Sequence, residues 1–237
     1  MSEDARARKH EPRITPVSSI TRRQGVVTEL RRSIVLGAIK PGERLTESSL
    51  SRALGVSRPT VREALHQVSQ EGLVVQEPYR GLRVADLDPP MLLDLARVRM
   101  ALDLEAAAEI LADPTGGRLT WVIGAWERYL DVMDSPDPLA QHDAHMEFHR
   151  AIWEASENSV LMRLWPVTEA HMTIALARDQ ATREDPERAR AVHEAIIDAF
   201  HTGDLDKVRA ALEAHTLQSA EELVRVLADE TNDEARA

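Results

Sequence analysis

The stretch from Thr46 to Val84 restricts this chain more than any other, because its caps and apolar spacings admit two short helices and then a small hairpin. Thr46 is a natural N-cap for a helix with Leu50 and Leu54 on one face, and Gly55 supplies the left-handed residue that ends it. Ser57 caps a second helix, whose early Pro59 is tolerated because the first turn leaves its N–H unpartnered anyway. Val61, Leu65 and Val68 fall at i, i+4 and i+7 and form the buried stripe, which leaves Arg58, Thr60 and Arg62 exposed at the N-terminal end. The segment Glu71 to Val84 then reads as a β-wing, with strands near Val74 to Glu77 and Leu82 to Ala85. A helix-turn-helix with a wing reads DNA, and it is the N-terminal end of the second helix that meets base edges.

The pattern Pro41-Gly42-Glu43-Arg44-Leu45, Leu50, Gly55-Val56-Ser57-Arg58, Val61-Arg62-Glu63-Ala64-Leu65, Glu71-Gly72-Leu73, Gly81 and Val84 resembles the winged-helix domain of GntR-type bacterial transcription regulators. The resemblance implies that Arg58 and Arg62 approach guanines or phosphates in the major groove, that Ser57 and Thr60 bind phosphates, and that Gly81 at the wing tip enters the minor groove. Two residues before Leu50, where many relatives carry an arginine, this chain has Ser48, so the DNA contact at that place is weaker or absent.

A length of 237 residues accommodates two ordinary domains. The net charge of -11 is unevenly spread: from Ile20 to Ala85 there are 11 Lys/Arg against 6 Asp/Glu, and from Asp86 onward 14 against 31. The basic character therefore accompanies the DNA-reading motif, on an otherwise acidic body that limits non-specific association. With no cysteine, disulfides and thiolate metal sites are excluded. Neither a signal peptide nor an 18-residue apolar run occurs, so a cytoplasmic protein without membrane contact is expected.

Residues 1–18 read as a disordered tail, 19–85 as the winged helix-turn-helix domain, 86–90 as a linker, 91–230 as an all-helical domain and 231–237 as a second tail. The first domain opens on a helix from about Ile20 to Leu36, with Val26, Val27, Leu30, Ile34 and Val35 packing under the motif helices. Beyond Met91, helical periodicity recurs in Leu92 to Leu111, Arg118 to Met133, Leu139 to Ala155, Ser159 to Arg178, Pro186 to Thr202 and Leu205 to Leu227. The fold class is mainly α, a winged helix followed by an antiparallel helical bundle.

Seven of the nine histidines lie between His142 and His215. His145 and His149, four apart, share a helix face, while His193 and His215 sit on later apolar stripes; together they can hold a divalent transition metal. The alternative is a metal-free polar pocket. His142 and His171 are weaker candidates, His142 reading more readily as a solvated helix end, and His66 and His201 read as surface or packing residues.

Phe148-His149, Asn158, His193-Glu194-Ala195-Ile196, Gly203-Asp204 and His215 resemble the FCD effector domain of the FadR-like branch of the GntR regulators. In its metal-containing members an aspartate and three histidines hold the ion, and here His145 stands where the aspartate belongs. Asp143 lies about 120° around the helix from His149 and could substitute only if that helix were distorted. Four neutral imidazoles leave a divalent ion with both charges, which attracts an anion more strongly and favours zinc or nickel over magnesium or calcium. The run Val98 to Glu105 resembles the domain's first helix, implying that the Arg99 fork takes a ligand carboxylate; the alternative is an ion pair with Asp103 at i+4. Arg178 and Trp153 are further candidates for the same cavity.

These readings together imply a transcription regulator that binds a palindromic double-stranded operator as a homodimer and answers a small organic acid. A different class, a metal-dependent phosphohydrolase, would use His142-Asp143 and the other histidines, but no general base stands close to them apart from Glu147, which faces away from His149.

Overall fold

In a computed structural model, residues 22–182 and 185–234 are described. The chain runs α1 (Arg22–Val35), β1 (Arg44–Leu45), α2 (Glu47–Leu54), α3 (Arg58–Gln70), β2 (Val74–Glu77), β3 (Gly81–Val84), α4 (Pro89–Leu111), α5 (Gly117–Met133), α6 (Pro138–Ala155), α7 (Ser159–Thr182), α8 (Pro186–His201) and α9 (Leu205–Leu212). A π-helical segment, Glu213–Gln218, joins α9 to α10 (Ser219–Glu234). No helix among the described residues is long and apolar enough to cross a membrane.

The motif forms as its caps dictate. Thr46 accepts a hydrogen bond from the Ser49 backbone N–H at 3.2 Å, Gly55 closes α2 at a φ of 65°, and Ser57 accepts from the Thr60 N–H at 3.3 Å. All five apolar residues expected on α1 are buried, as are Val61, Leu65 and Val68 on α3. The wing contains a strand the sequence reading lacked: β1 pairs with β3, giving an antiparallel sheet of order β1-β3-β2. Two residues are too short to show a period, so β1 emerges only through its ladder partners, Arg83 for Arg44 and Leu82 for Leu45.

The expected linker, 86–90, is structured throughout. Asp88 Oδ1 accepts from the Met91 N–H at 2.9 Å, and Pro89 and Pro90 form the first turn of α4 instead of a break, because prolines lacking an N–H lose nothing there. Leu87 is fully buried in the core of the DNA-reading half, alongside Leu65, Leu73 and Val84. That core also takes in Leu92 of α4, Ala170 and Ile174 of α7 and Leu223 of α10, so the two halves share one apolar cluster. A second cluster, around Trp126, Phe148, Trp153, Ile196 and Phe200, fills the helical half.

Helix α10 continues to Glu234, into the stretch expected to be a tail, since neither glycine nor proline follows Leu227 to stop it. Residues 1–18 and 235–237 lie outside the described residues.

Replacing Leu87 by alanine is expected to cost about 2–5 kcal/mol in denaturant unfolding, the range for a buried leucine. A solvated linker residue would give less than about 0.5 kcal/mol.

Candidate functional site

At the DNA-reading end, Arg58 and Ser57 are exposed at the first turn of α3, and Ser48 is exposed on α2. Thr60 is half-buried, its hydroxyl 2.8 Å from that of Ser57. Arg62 is not a free guanidinium: its Nε and NH2 groups donate to the two carboxylate oxygens of Glu47 at 2.7 and 2.8 Å. This bidentate bond holds Glu47 below the usual carboxylate range and joins α2 to α3. Gly81 opens β3 at a φ of 84°, but the wing tip itself is Pro78-Tyr79-Arg80. Tyr79 is fully exposed and held at a φ of 64°, a conformation that costs a non-glycine residue energy. Sequence reading passed over Tyr79 because a tyrosine beside a proline carries no signal of left-handed backbone.

In the helical half, four imidazoles from three places in the chain converge. His145 and His149 come from α6, His193 from α8 and His215 from the π-helical segment, and all four are buried. The Nε2 atoms of His145, His149 and His215 lie 2.9, 3.2 and 2.9 Å from that of His193, and those of His145 and His149 are 3.1 Å apart. Asp143 is not among them; α6 stays helical from Pro138 to Ala155, and its turn carries Asp143 toward a polar cavity between α1, α6 and α7. His142 lines that cavity too, buried and 3.3 Å from the Thr173 hydroxyl, because the first turns of α6 pack against the DNA-reading half instead of facing water.

Arg99 makes the i+4 ion pair with Asp103 and also reaches the imidazole cluster. Its Nε lies 3.3 Å from Asp103 Oδ2, the i+4 pair, while its NH2 group donates to His149 Nδ1 at 3.0 Å. Asp103 is buried and also accepts from the Trp153 indole N–H at 2.6 Å, which occupies Trp153 in the core. Burial pushes the Asp103 carboxyl up and the Arg99 guanidinium down, and each opposes the other's shift. Arg178 stands apart from this group and pairs with Asp86 at 2.9 Å, beside Leu87. Against the histidines lies a cavity of about 160 Å³, whose wall includes Arg99, His171 and the alanines Ala96, Ala175, Ala189 and Ala220.

Residues 22–84 match the bacterial regulatory proteins of the gntR family, and residues 94–218 match the FCD domain family. The chain belongs to the GntR family and carries an FCD domain. It is 28% identical over 199 residues to the "Probable D-xylose utilization operon transcriptional repressor" of Paenarthrobacter nicotinovorans, covering 81% of this chain and 86% of that one. It is also 28% identical over 187 residues to the gluconate operon transcriptional repressor of Bacillus subtilis (strain 168), covering 76% and 75%. The fold is that of E. coli McbR/YncC, with a TM-score of 0.68 at 22% identity over 87% of this chain and 99% of that one. This GntR protein is thus a DNA-binding transcription regulator and not an enzyme, which removes the phosphohydrolase alternative.

The histidines of this FCD domain fit a divalent transition metal. Nitrogens about 2.0–2.1 Å from a tetrahedral ion stand roughly 3.3 Å from one another; four pairs here lie 2.9–3.2 Å apart, and all four ligand atoms lie within 4.8 Å of one another. The Ala189 carbonyl accepts from His193 Nδ1 at 2.6 Å, which turns the lone pair of Nε2 inward as a ligand requires. His149 differs. A guanidinium only donates, so His149 Nδ1 must accept, and a neutral ring then carries its proton on Nε2. Ligation through that atom requires Arg99 to let go of the ring.

Burial drives every one of these rings toward the neutral form: His193 and His142 are pushed down to about 4, and His145, His149 and His215 lie well below 6.5. A ring whose folded value is depressed contributes stability above its unfolded value of 6.5 and loses it as pH falls toward the folded one. The melting temperature of metal-free protein is therefore expected to drop steeply between pH 6.5 and pH 4. A flat profile across that window would show that the rings are not buried as neutral groups.

Proposed function

We propose that this regulator binds a palindromic operator as a homodimer and is released or reoriented by a small carboxylate at a metal-containing pocket. The observation that carries the reading is the convergence of four buried imidazoles beside an arginine, on a body attached to a helix-turn-helix. In this reading His145, His149, His193 and His215 hold zinc or nickel, whose charge, when bound, polarises and orients a carboxylate. Arg99, let go by His149, supplies the second contact to that carboxylate. Arg58 makes the principal base or phosphate contact, while Ser48, Ser57, Thr60 and the wing from Tyr79 to Gly81 position the duplex. Arg62 reaches DNA only by exchanging Glu47 for a phosphate.

One winged helix offers few contacts, and two-fold symmetry doubles them. A face suited to that symmetry runs along α4 and α7, where Met91, Val98, Leu164 and Val167 are exposed and line an open groove with Leu95 and Leu102. A contiguous apolar face of this kind is uncommon on a monomer. An effector alters DNA binding only if it favours one arrangement of the two heads over the other.

Arg58→Ala is expected to abolish specific operator binding in mobility-shift assays, whereas His193→Ala leaves binding by the metal-free protein intact and removes the effector response. Equal loss of operator binding in both would contradict this division. Leu164→Asp is expected to shift the chain to a monomer in light scattering and to weaken operator binding at least tenfold; a dimer of unchanged affinity would place the interface elsewhere.

A further inference from the structure

The cavity beside the histidines is built for a particular kind of acid. At one end are Arg99, His193 and His215, the cationic or metal-holding end. The rest of the wall is mostly apolar, with Leu92, Leu95, Met172, Leu176, Val192 and Leu223 among its residues. Three of its polar residues, Arg188, Ser219 and Thr216, are already engaged. Arg188 donates to Ser219 Oγ at 3.0 Å and pairs with Glu222, and the Thr216 hydroxyl lies 3.2 Å from His215 Nδ1.

Size and polarity then select the ligand. An apolar space of about 150 Å³ accepts a benzene-sized body, and the cavity here is about 160 Å³. A sugar acid of similar length brings several hydroxyls against a wall that is mostly apolar, and each one buried unsatisfied weakens binding roughly fivefold or more. Acetate leaves the apolar lobe to water.

The same wall belongs to the DNA-reading half. Leu87, Leu92 and Leu223 line the cavity and also pack in the cluster that contains Leu30, Leu65 and Val84. Whatever fills the lobe thus touches the core that carries the recognition helix, next to the Arg178–Asp86 pair.

We propose that the ligand is a monocarboxylate with a compact apolar body the size of a single ring, and that this body acts on the DNA-reading half by moving Leu87 and Leu223. The proposal rests on the reading of the site as a carboxylate pocket and adds the chemistry of the remainder of the ligand and the route by which it is felt.

The test is calorimetry on the zinc-loaded full-length chain with phenylacetate, acetate and gluconate, paired with operator mobility shifts. Phenylacetate is expected to bind roughly 30-fold or more tightly than either other acid, from the added apolar burial, and to change operator affinity more than they do. Ala175→Leu, which fills the lobe, is expected to weaken phenylacetate at least tenfold more than acetate; the wild-type series stands without any variant. Gluconate or acetate binding as well as phenylacetate would overturn the inference and leave the carboxylate reading intact. Absence of binding by all three, with zinc retained, would overturn the carboxylate reading itself. Tight phenylacetate binding with no greater effect on operator affinity than acetate would refute the route through Leu87 and Leu223.

Discussion

Asp103 is a carboxylate with 2% exposure in the middle of α4, and such a group survives burial only if its charge is met. It is met from two sides, by the Trp153 indole N–H from α6 and by Arg99 one turn earlier on its own helix. Arg99 then donates to His149, so a line of polar contacts runs from Trp153 through Asp103 and Arg99 to the imidazoles. The demand for charge compensation at Asp103 thereby fixes the setting of α4 against α6 and the rotation of the guanidinium. The geometry of the candidate site descends from that one demand.

A second constraint ties the two halves together. A linker of solvated residues would let the heads move independently of the effector domain. Here Leu87 is buried, Asp86 is held by Arg178 and Asp88 caps α4, so the connection is ordered residue by residue. The apolar cluster continues across the connection into α7 and α10. Side chains of α3 thus pack in the same cluster as Leu92, which also lines the cavity against the histidines.

Much of this was legible in the amino-acid sequence, because local rules settle it. The caps at Thr46, Gly55 and Ser57 are set by neighbours within a few residues, and α1 and α3 bury the residues their periodicity indicates. The four histidines could be nominated because helix faces are periodic, and His145 rather than Asp143 joins them for the same reason. What escaped the reading depends on distant partners or on irregular backbone. The Glu47 bond to Arg62 crosses between helices, β1 exists only through β3, and His142 and Arg178 are placed by the packing of one half on the other. Periodicity from Leu205 to Leu227 suggests one regular helix, yet His215 and Thr216 are buried side by side in a π-helical turn, a form that short-range patterns do not announce.

The cavity wall divides its labour by residue type. Its ionic end depends on groups locked into hydrogen bonds, where a change disturbs several partners at once. The methyl groups of Ala96, Ala175, Ala189 and Ala220 have no such obligations, and each of these residues lines the space a ligand's body would fill. Single replacements there can reshape that space by a methyl group at a time while leaving histidines and arginine in place. Lineages descended from one ancestral sensor could in this way drift from one metabolite to another without rebuilding their chemistry.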